Sequence, residues 1–140
     1  MIETTYSEEQ TEALGQKISA DLRPGDFLGL YGSLGSGKTV FARGICRGLG
    51  NTIDVSSPTF NIINFYPGKI EVAHVDLYRV DSRLDELGLD ELFESERIII
   101  VEWAEKVKND LPPRRLDIFF NIVDLKTREV RIEKIDDTGN

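Results

Sequence analysis

The most specific chemistry in this 140-residue chain lies in eight consecutive residues, Gly32-Ser33-Leu34-Gly35-Ser36-Gly37-Lys38-Thr39. Their pattern is G-x-x-x-x-G-K-[ST], the phosphate-cradling loop. A polyphosphate offers a host little besides charged oxygens, so several N–H donors must converge on one point. Successive backbone amides in a tight loop form such a concavity, and glycines keep side chains from obstructing it. A helix beginning at Lys38 adds its free amide ends and its positive dipole end. Lys38 supplies a point charge for the β- and γ-phosphates, and the Thr39 hydroxyl is placed to ligate Mg²⁺. No N-K-x-D segment, the usual mark of guanine specificity, occurs in the chain, so ATP is the expected nucleotide.

Such a loop needs an acidic residue at the end of a neighbouring strand to hold the metal directly or through water. Two residues compete. Asp76 closes the run Ile70-Glu71-Val72-Ala73-His74-Val75, and Glu102 closes Ile98-Ile99-Ile100-Val101. One could bind the metal while the other positions the attacking water. Ser56-Ser57-Pro58-Thr59-Phe60 could place a hydroxyl near the γ-phosphate as a switch loop does, although an ordinary Ser/Pro turn explains it as well. His74 alternates with Ile70 and Val72 and reads as a satisfied core histidine. Trp103 reads as a core or edge aromatic, and Cys46 as a buried structural thiol.

These residues need a scaffold. Ser7 followed by Gln10 suggests a capping box ahead of an amphipathic helix over 8–22, with Leu14, Ile18 and Leu22 on one face. Pro24-Gly25 ends it. A buried strand at 27–31 and a helix at 38–49, closed by Gly50, flank the phosphate loop as the motif requires. Apolar runs at 59–66 and 70–76 around Pro67-Gly68 predict a hairpin. A helix interrupted at Gly88 is expected over 82–94, then a buried strand over 97–102. Pro112-Pro113 precedes two final strands near 115–123 and 127–135. The order predicts an α/β fold: a three-layer P-loop sandwich with a mostly parallel central sheet and antiparallel edge strands. No linker divides the chain, so residues 1–140 read as a single domain.

Composition narrows the function. Apolar residues at 40% and charged residues at 30% describe a globular chain. The net charge of −8, from 17 basic and 25 acidic residues, argues against direct binding of DNA, RNA or an anionic membrane. The charge is concentrated late, at −1 over residues 1–70 and −7 over 71–140. The single cysteine excludes an internal disulfide framework. No membrane span or signal peptide is visible, and a cytoplasmic location is expected.

The phosphate loop, Ser57-Pro58-Thr59-Phe60, His74-Val75-Asp76-Leu77-Tyr78-Arg79 and Val101-Glu102-Trp103, in that order and in so compact a chain, resemble the bacterial TsaE (YjeE) family. The resemblance implies a slow, Mg²⁺-dependent ATPase that works with the proteins TsaB and TsaD in threonylcarbamoyladenosine modification of tRNA, beside the anticodon, and meets tRNA only through that complex. It implies that ATP is held by Gly35, Ser36, Gly37, Lys38, Thr39 and Val40. Thr39 and Glu102 would be the metal ligands, with Asp76 supporting the metal or the water. Thr59 would be the switch hydroxyl and Trp103 would matter for activity. Ser7 and either Thr127 or Arg128 would approach the base.

A small-molecule kinase of P-loop type is the alternative function. Arg114-Arg115 could then mimic a lid arginine, although no long lid insertion is apparent. A nucleotide-gated binding module without useful turnover is a third reading.

Overall fold

The computed structural model describes residues 1–52, 62–80 and 87–137. Among these residues seven strands form one sheet: β1 (Ile2–Thr5), β2 (Phe27–Tyr31), β3 (Ile63–Tyr66), β4 (Val72–Asp76), β5 (Ile98–Glu102), β6 (Arg114–Ile122) and β7 (Arg128–Asp136). Their order is β1-β7-β6-β2-β5-β4-β3. The central four strands, β6, β2, β5 and β4, run parallel. The hairpin β3–β4 closes one edge, and β6–β7 with β1 close the other, all antiparallel. The α/β fold with a parallel centre is therefore the one predicted.

Alternation of side chains sorts the core into two layers. Leu28, Leu30, Val72, Ile98 and Ile100 face helices α1 (Glu8–Ser19) and α2 (Lys38–Leu49). Phe27, Ala73, Val75, Ile99 and Val101 face the short helix α3 (Leu89–Phe93) and a kinked 3₁₀ segment, Ala104–Asp110. Both sides of β2 and β5 are covered, which is why these two strands read as nearly unbroken apolar runs.

Helix α2 has the predicted bounds, and Gly50 closes it at φ 77°. Helix α1 stops at Ser19, short of the predicted 22, because the next amides bond three residues back, Ala20 N–H to Lys17 O and Asp21 N–H to Ile18 O. Ser7 caps α1 by accepting from the Gln10 N–H. Gln10 Oε1 accepts from Tyr6 N instead of Ser7 N, so the predicted reciprocal box is displaced by one residue. Strand β1 was not expected. Its sequence, Ile-Glu-Thr-Thr, has no apolar alternation, and pairing with β7 alone makes it a strand. Of the predicted 82–94 helix, residues 82–86 lie outside the described residues and the remainder begins only at Leu89, after Gly88 at φ 68°. Among the described residues no helix is long and apolar enough to cross a membrane.

Helices α1 and α2 meet backbone to backbone. A Cβ on Gly44 would lie 2.1 Å from the Glu12 carbonyl oxygen. An ion pair between Arg47 and Glu12 bridges the same contact. The N-terminus of α1 is thereby fixed beside the phosphate loop.

Candidate functional site

Parallel register builds the site. Leu30 on β2 pairs with Glu102 on β5, and Glu102 pairs with Asp76 on β4. The carboxyl ends of three strands thus form one row at the sheet edge where the phosphate loop leaves β2. β5 and β6 flank β2 on opposite sides, and a crevice where strand order reverses is the usual ligand position in such sheets. Trp103 N–H donates to Leu30 O and Leu77 N–H to Glu102 O, which locks the row beyond the strand ends.

A cleft of about 530 Å³ opens on this edge. Ser7, Gly35, Ser36, Gly37, Lys38, Thr39, Val40, Asp76, Glu102, Trp103 and Arg128 all line it. The structure therefore brings together every expected site residue except Thr59, which lies outside the described residues together with the rest of Ser56–Phe60. Of the pair Thr127 and Arg128, the cleft takes Arg128.

The loop is built for close approach. A Cβ on Gly32 would lie 2.5 Å from Ser36 Oγ and 2.9 Å from the Phe120 carbonyl oxygen, so no side chain fits. Gly37 takes φ 108° and caps α2 without any side chain, leaving the first-turn amides to the cleft. Ser36 Oγ is buried and has no hydrogen-bond partner among the described residues.

Lys38 is buried beside the loop. Its Nζ donates to the carbonyls of Gly32 and Ser33, at 2.5 and 2.9 Å, and lies 4.3 Å from the centroid of the Trp103 ring. Burial lowers its pKa, and the charges of Glu102, Glu105 and Asp76 pull the other way. Trp103 holds its backbone at φ 62°, the one positive φ outside glycine among the described residues. Its ring packs on Tyr78 at 5.2 Å.

Glu102 is 3% exposed. Thr39 Oγ1 donates to its carboxylate, 2.9 Å from Oε1 and 3.0 Å from Oε2. His74 Nε2 lies 2.5 Å from Oε2. Burial would raise the Glu102 pKa, but the hydrogen bonds of His74 and Thr39 and the charges of His74 and Lys38 outweigh it, and the net shift is downward. Asp76 accepts from the Tyr78 N–H at 3.0 Å, which fixes its carboxylate at the end of β4.

Sequence reasoning missed several features. Glu8, Glu9, Thr11, Leu125 and Lys126 also line the cleft, because the start of α1 and the β6–β7 turn close over it. Arg128 Nη2 donates to Gly35 O at 3.1 Å across 93 positions of sequence. One local signal existed: Asp124 accepts from the N–H groups of Lys126 and Thr127, a side-chain turn that Asp-x-Lys-Thr spells out. Arg115 takes the opposite role to the one a lid would need. It sits at the start of β6, bonded to Asp117 and to Pro112 O, and the start of a strand parallel to β2 lies at the far edge from the phosphate loop.

The chain is similar to known proteins over most of its length. A family model described as "Threonylcarbamoyl adenosine biosynthesis protein TsaE" matches residues 5–130, a span holding every cleft residue named above. The "tRNA threonylcarbamoyladenosine biosynthesis protein TsaE" of Bacillus subtilis (strain 168) is 41% identical over 127 residues, covering 90% of this chain and 80% of that protein. The protein of the same description from Rickettsia typhi is 33% identical over 135 residues, covering 94% and 93%. Among solved structures, "Crystal structure of Bacillus subtilus YdiB" superposes with a TM-score of 0.81 at 34% identity, covering 96% of this chain and 85% of that one.

Proposed function

This chain belongs to the TsaE family, and from that premise we propose that it is a single-domain P-loop ATPase serving threonylcarbamoyladenosine modification of tRNA, acting with TsaB and TsaD. The observation that carries the ATPase reading is the contact between Thr39 and Glu102 at 2.9 Å, with Lys38 buried beside it. It joins a hydroxyl, a carboxylate held anionic and an ammonium at the mouth of an amide-lined loop.

The residues fit a magnesium nucleotide. Ser36 Oγ is an orphaned buried hydroxyl in the loop, and Gly32 leaves room only for backbone. Mg²⁺ commonly takes one or two carboxylates and completes its shell with water and substrate phosphates. Thr39 and Glu102, with Asp76 in the same row, match that donor set. Bound there, Mg²⁺ would neutralise charge on the β- and γ-phosphate oxygens. Glu102, Glu105 and Asp76 crowd a single ammonium, so a polyanion without a cation would meet repulsion.

The chain's own groups then do the rest. Lys38 exchanges its acceptors on Gly32 and Ser33 for phosphate oxygens. The first-turn amides of α2 hold the same oxygens. Asp76, fixed by Tyr78 N–H, is positioned to orient water for in-line attack. Among the described residues that line the cleft, Arg128 is the one guanidinium, and it is spent on Gly35 O and on carbonyls of its own turn. Turnover by the isolated chain is therefore slow, and a stabiliser supplied by a partner is worth about 10³–10⁵ in rate.

Titration calorimetry with ATP, with and without Mg²⁺, tests the binding reading, and phosphate release with and without saturating TsaB and TsaD tests the coupling. Heat with Mg–ATP and faster release with both partners are expected. Absence of any heat with purine triphosphates overturns the nucleotide reading; release that both proteins leave unchanged overturns the coupling.

A further inference from the structure

His74 is the only histidine in the chain. Its position on β4 makes it a core residue by pattern, and it is buried. Packing does not account for its ring. Nε2 lies 2.5 Å from Glu102 Oε2, and Nδ1 lies 3.5 Å from the Tyr66 hydroxyl oxygen. A buried carboxylate must be matched by donors, and the donors at Glu102 are unequal. The Thr39 hydroxyl has one proton, split between Oε1 and Oε2 at 2.9 and 3.0 Å. His74 reaches Oε2 alone. A hydroxyl that turns a lone pair toward a cation keeps its one proton for the carboxylate, so Thr39 would serve the cation and Glu102 at once. Among the described residues two side chains hold Glu102, and of these only His74 has no second task at the cation.

We infer that His74 is a positioning residue for the metal–nucleotide site: it pins Oε2, fixes the rotation of the Glu102 carboxylate and leaves Oε1 facing the cation. The inference rests on the reading of Thr39 and Glu102 as the metal-holding pair. Partners of this kind, which orient a ligand without touching the metal, are commonly worth 10–100-fold in metal affinity or activity.

The test uses Mn²⁺ as the probe, because its free ion has a paramagnetic resonance signal that disappears on binding. Wild type, His74→Leu, His74→Gln and His74→Asn are each titrated with Mn²⁺ in the presence of the non-hydrolysable analogue AMP-PNP. Affinity for the analogue alone, in chelator, is measured by calorimetry. Leucine keeps the bulk of the ring and removes the donor. Glutamine reaches the Nε2 position with an N–H, and asparagine is too short to do so.

His74→Leu is expected to raise the Mn²⁺ concentration for half-saturation about 10–100-fold, with metal-free analogue affinity changed by less than about twofold, and His74→Gln is expected to restore most of the loss. Should the leucine protein fail to fold, the glutamine and asparagine proteins carry the comparison, with Gln close to wild type and Asn weakened. Wild-type Mn²⁺ affinity in His74→Leu, or equal losses in Gln and Asn, overturns the inference while leaving the nucleotide reading intact. Failure of the wild-type chain to bind Mn²⁺ with the analogue overturns both.

Discussion

Lys38 lies with its ammonium 4.3 Å from the centre of the Trp103 ring. The two residues are brought together by adjacent parallel strands: Lys38 follows the loop after β2, and Trp103 is the first residue past β5. Trp103 reaches this place at φ 62°, a backbone region that costs an L-residue roughly 1–2 kcal/mol. The Leu30 carbonyl holds its N–H and Tyr78 backs its ring. The ring covers an ammonium that burial already disfavours, and a cation over an aromatic face is stabilised by about 0.5–2 kcal/mol.

Trp103→Ala is accordingly expected to weaken Mg–ATP binding by about 2- to 30-fold, the equivalent of that interaction. Trp103→Phe should lose less. Calorimetric affinities check this, and an alanine variant that binds as tightly as wild type refutes the role of the ring. Trp103 is also the only tryptophan, so nucleotide bound by Lys38 beside its ring should alter its emission.

Lys38→Ala removes the one ammonium at the centre of the loop. Hydrogen bonds to charged groups are worth about 1.5–3 kcal/mol, so nucleotide affinity should drop at least about 10- to 100-fold while the fold persists. Unchanged affinity would contradict the phosphate loop itself.

Glu102→Gln keeps the shape of the side chain and removes the charge that Thr39 and His74 surround. Magnesium-dependent phosphate release should fall by about 10²–10³, the usual scale for losing one preorganised electrostatic group. Nucleotide binding in chelator should change far less. Equal loss of both would shift the metal-holding role to Asp76.

Two groups give opposite pH trends. Glu102 has its pKa held below the ordinary 4.5, so the folded chain binds that proton less readily than the unfolded one. Its contribution is present above pH 4.5 and is lost as pH falls through the lowered value. Burial first, then the charge of Asp117 and the hydrogen bond to that residue, 3.3 Å away, together push Tyr31 from 10.0 to about 12. Its contribution is present below pH 10 and disappears as pH rises toward about 12. Phenolate absorbance should contain a component titrating near 12 that Tyr31→Phe eliminates; a native titration without it contradicts the assignment.

Gly44→Ala tests the seating of α1. Alanine improves helix propensity by about 1 kcal/mol, but its Cβ would stand 2.1 Å from the Glu12 carbonyl oxygen. Overpacking of this kind costs about 1–3 kcal/mol, occasionally more, so net destabilisation is expected in denaturant melts. Because α1 brings Ser7, Glu8 and Thr11 to the cleft, nucleotide affinity should fall with it. A stabilised variant would show that the helices can part at no cost.

The amino-acid sequence by itself determined what is local. The phosphate loop, its flanking strand and helix, the hairpin at Pro67-Gly68 and the two late strands follow from turn residues and periodicity, which act over a few positions. The carboxylates Asp76 and Glu102 were legible as strand ends for the same reason. Their alignment was not: only the parallel register of β2, β5 and β4 puts Leu30, Glu102 and Asp76 in one row. Strand β1 exists because β7 offers it an edge. Arg128 reaches Gly35 because the β6–β7 hairpin folds back over the cleft, and α1 enters the site because glycines let two helix backbones touch. His74 looked like core, and its burial agrees. That it also grips Glu102 depends on a contact 28 residues away, and such partners are chosen by the packing of the whole sheet, which no local pattern encodes.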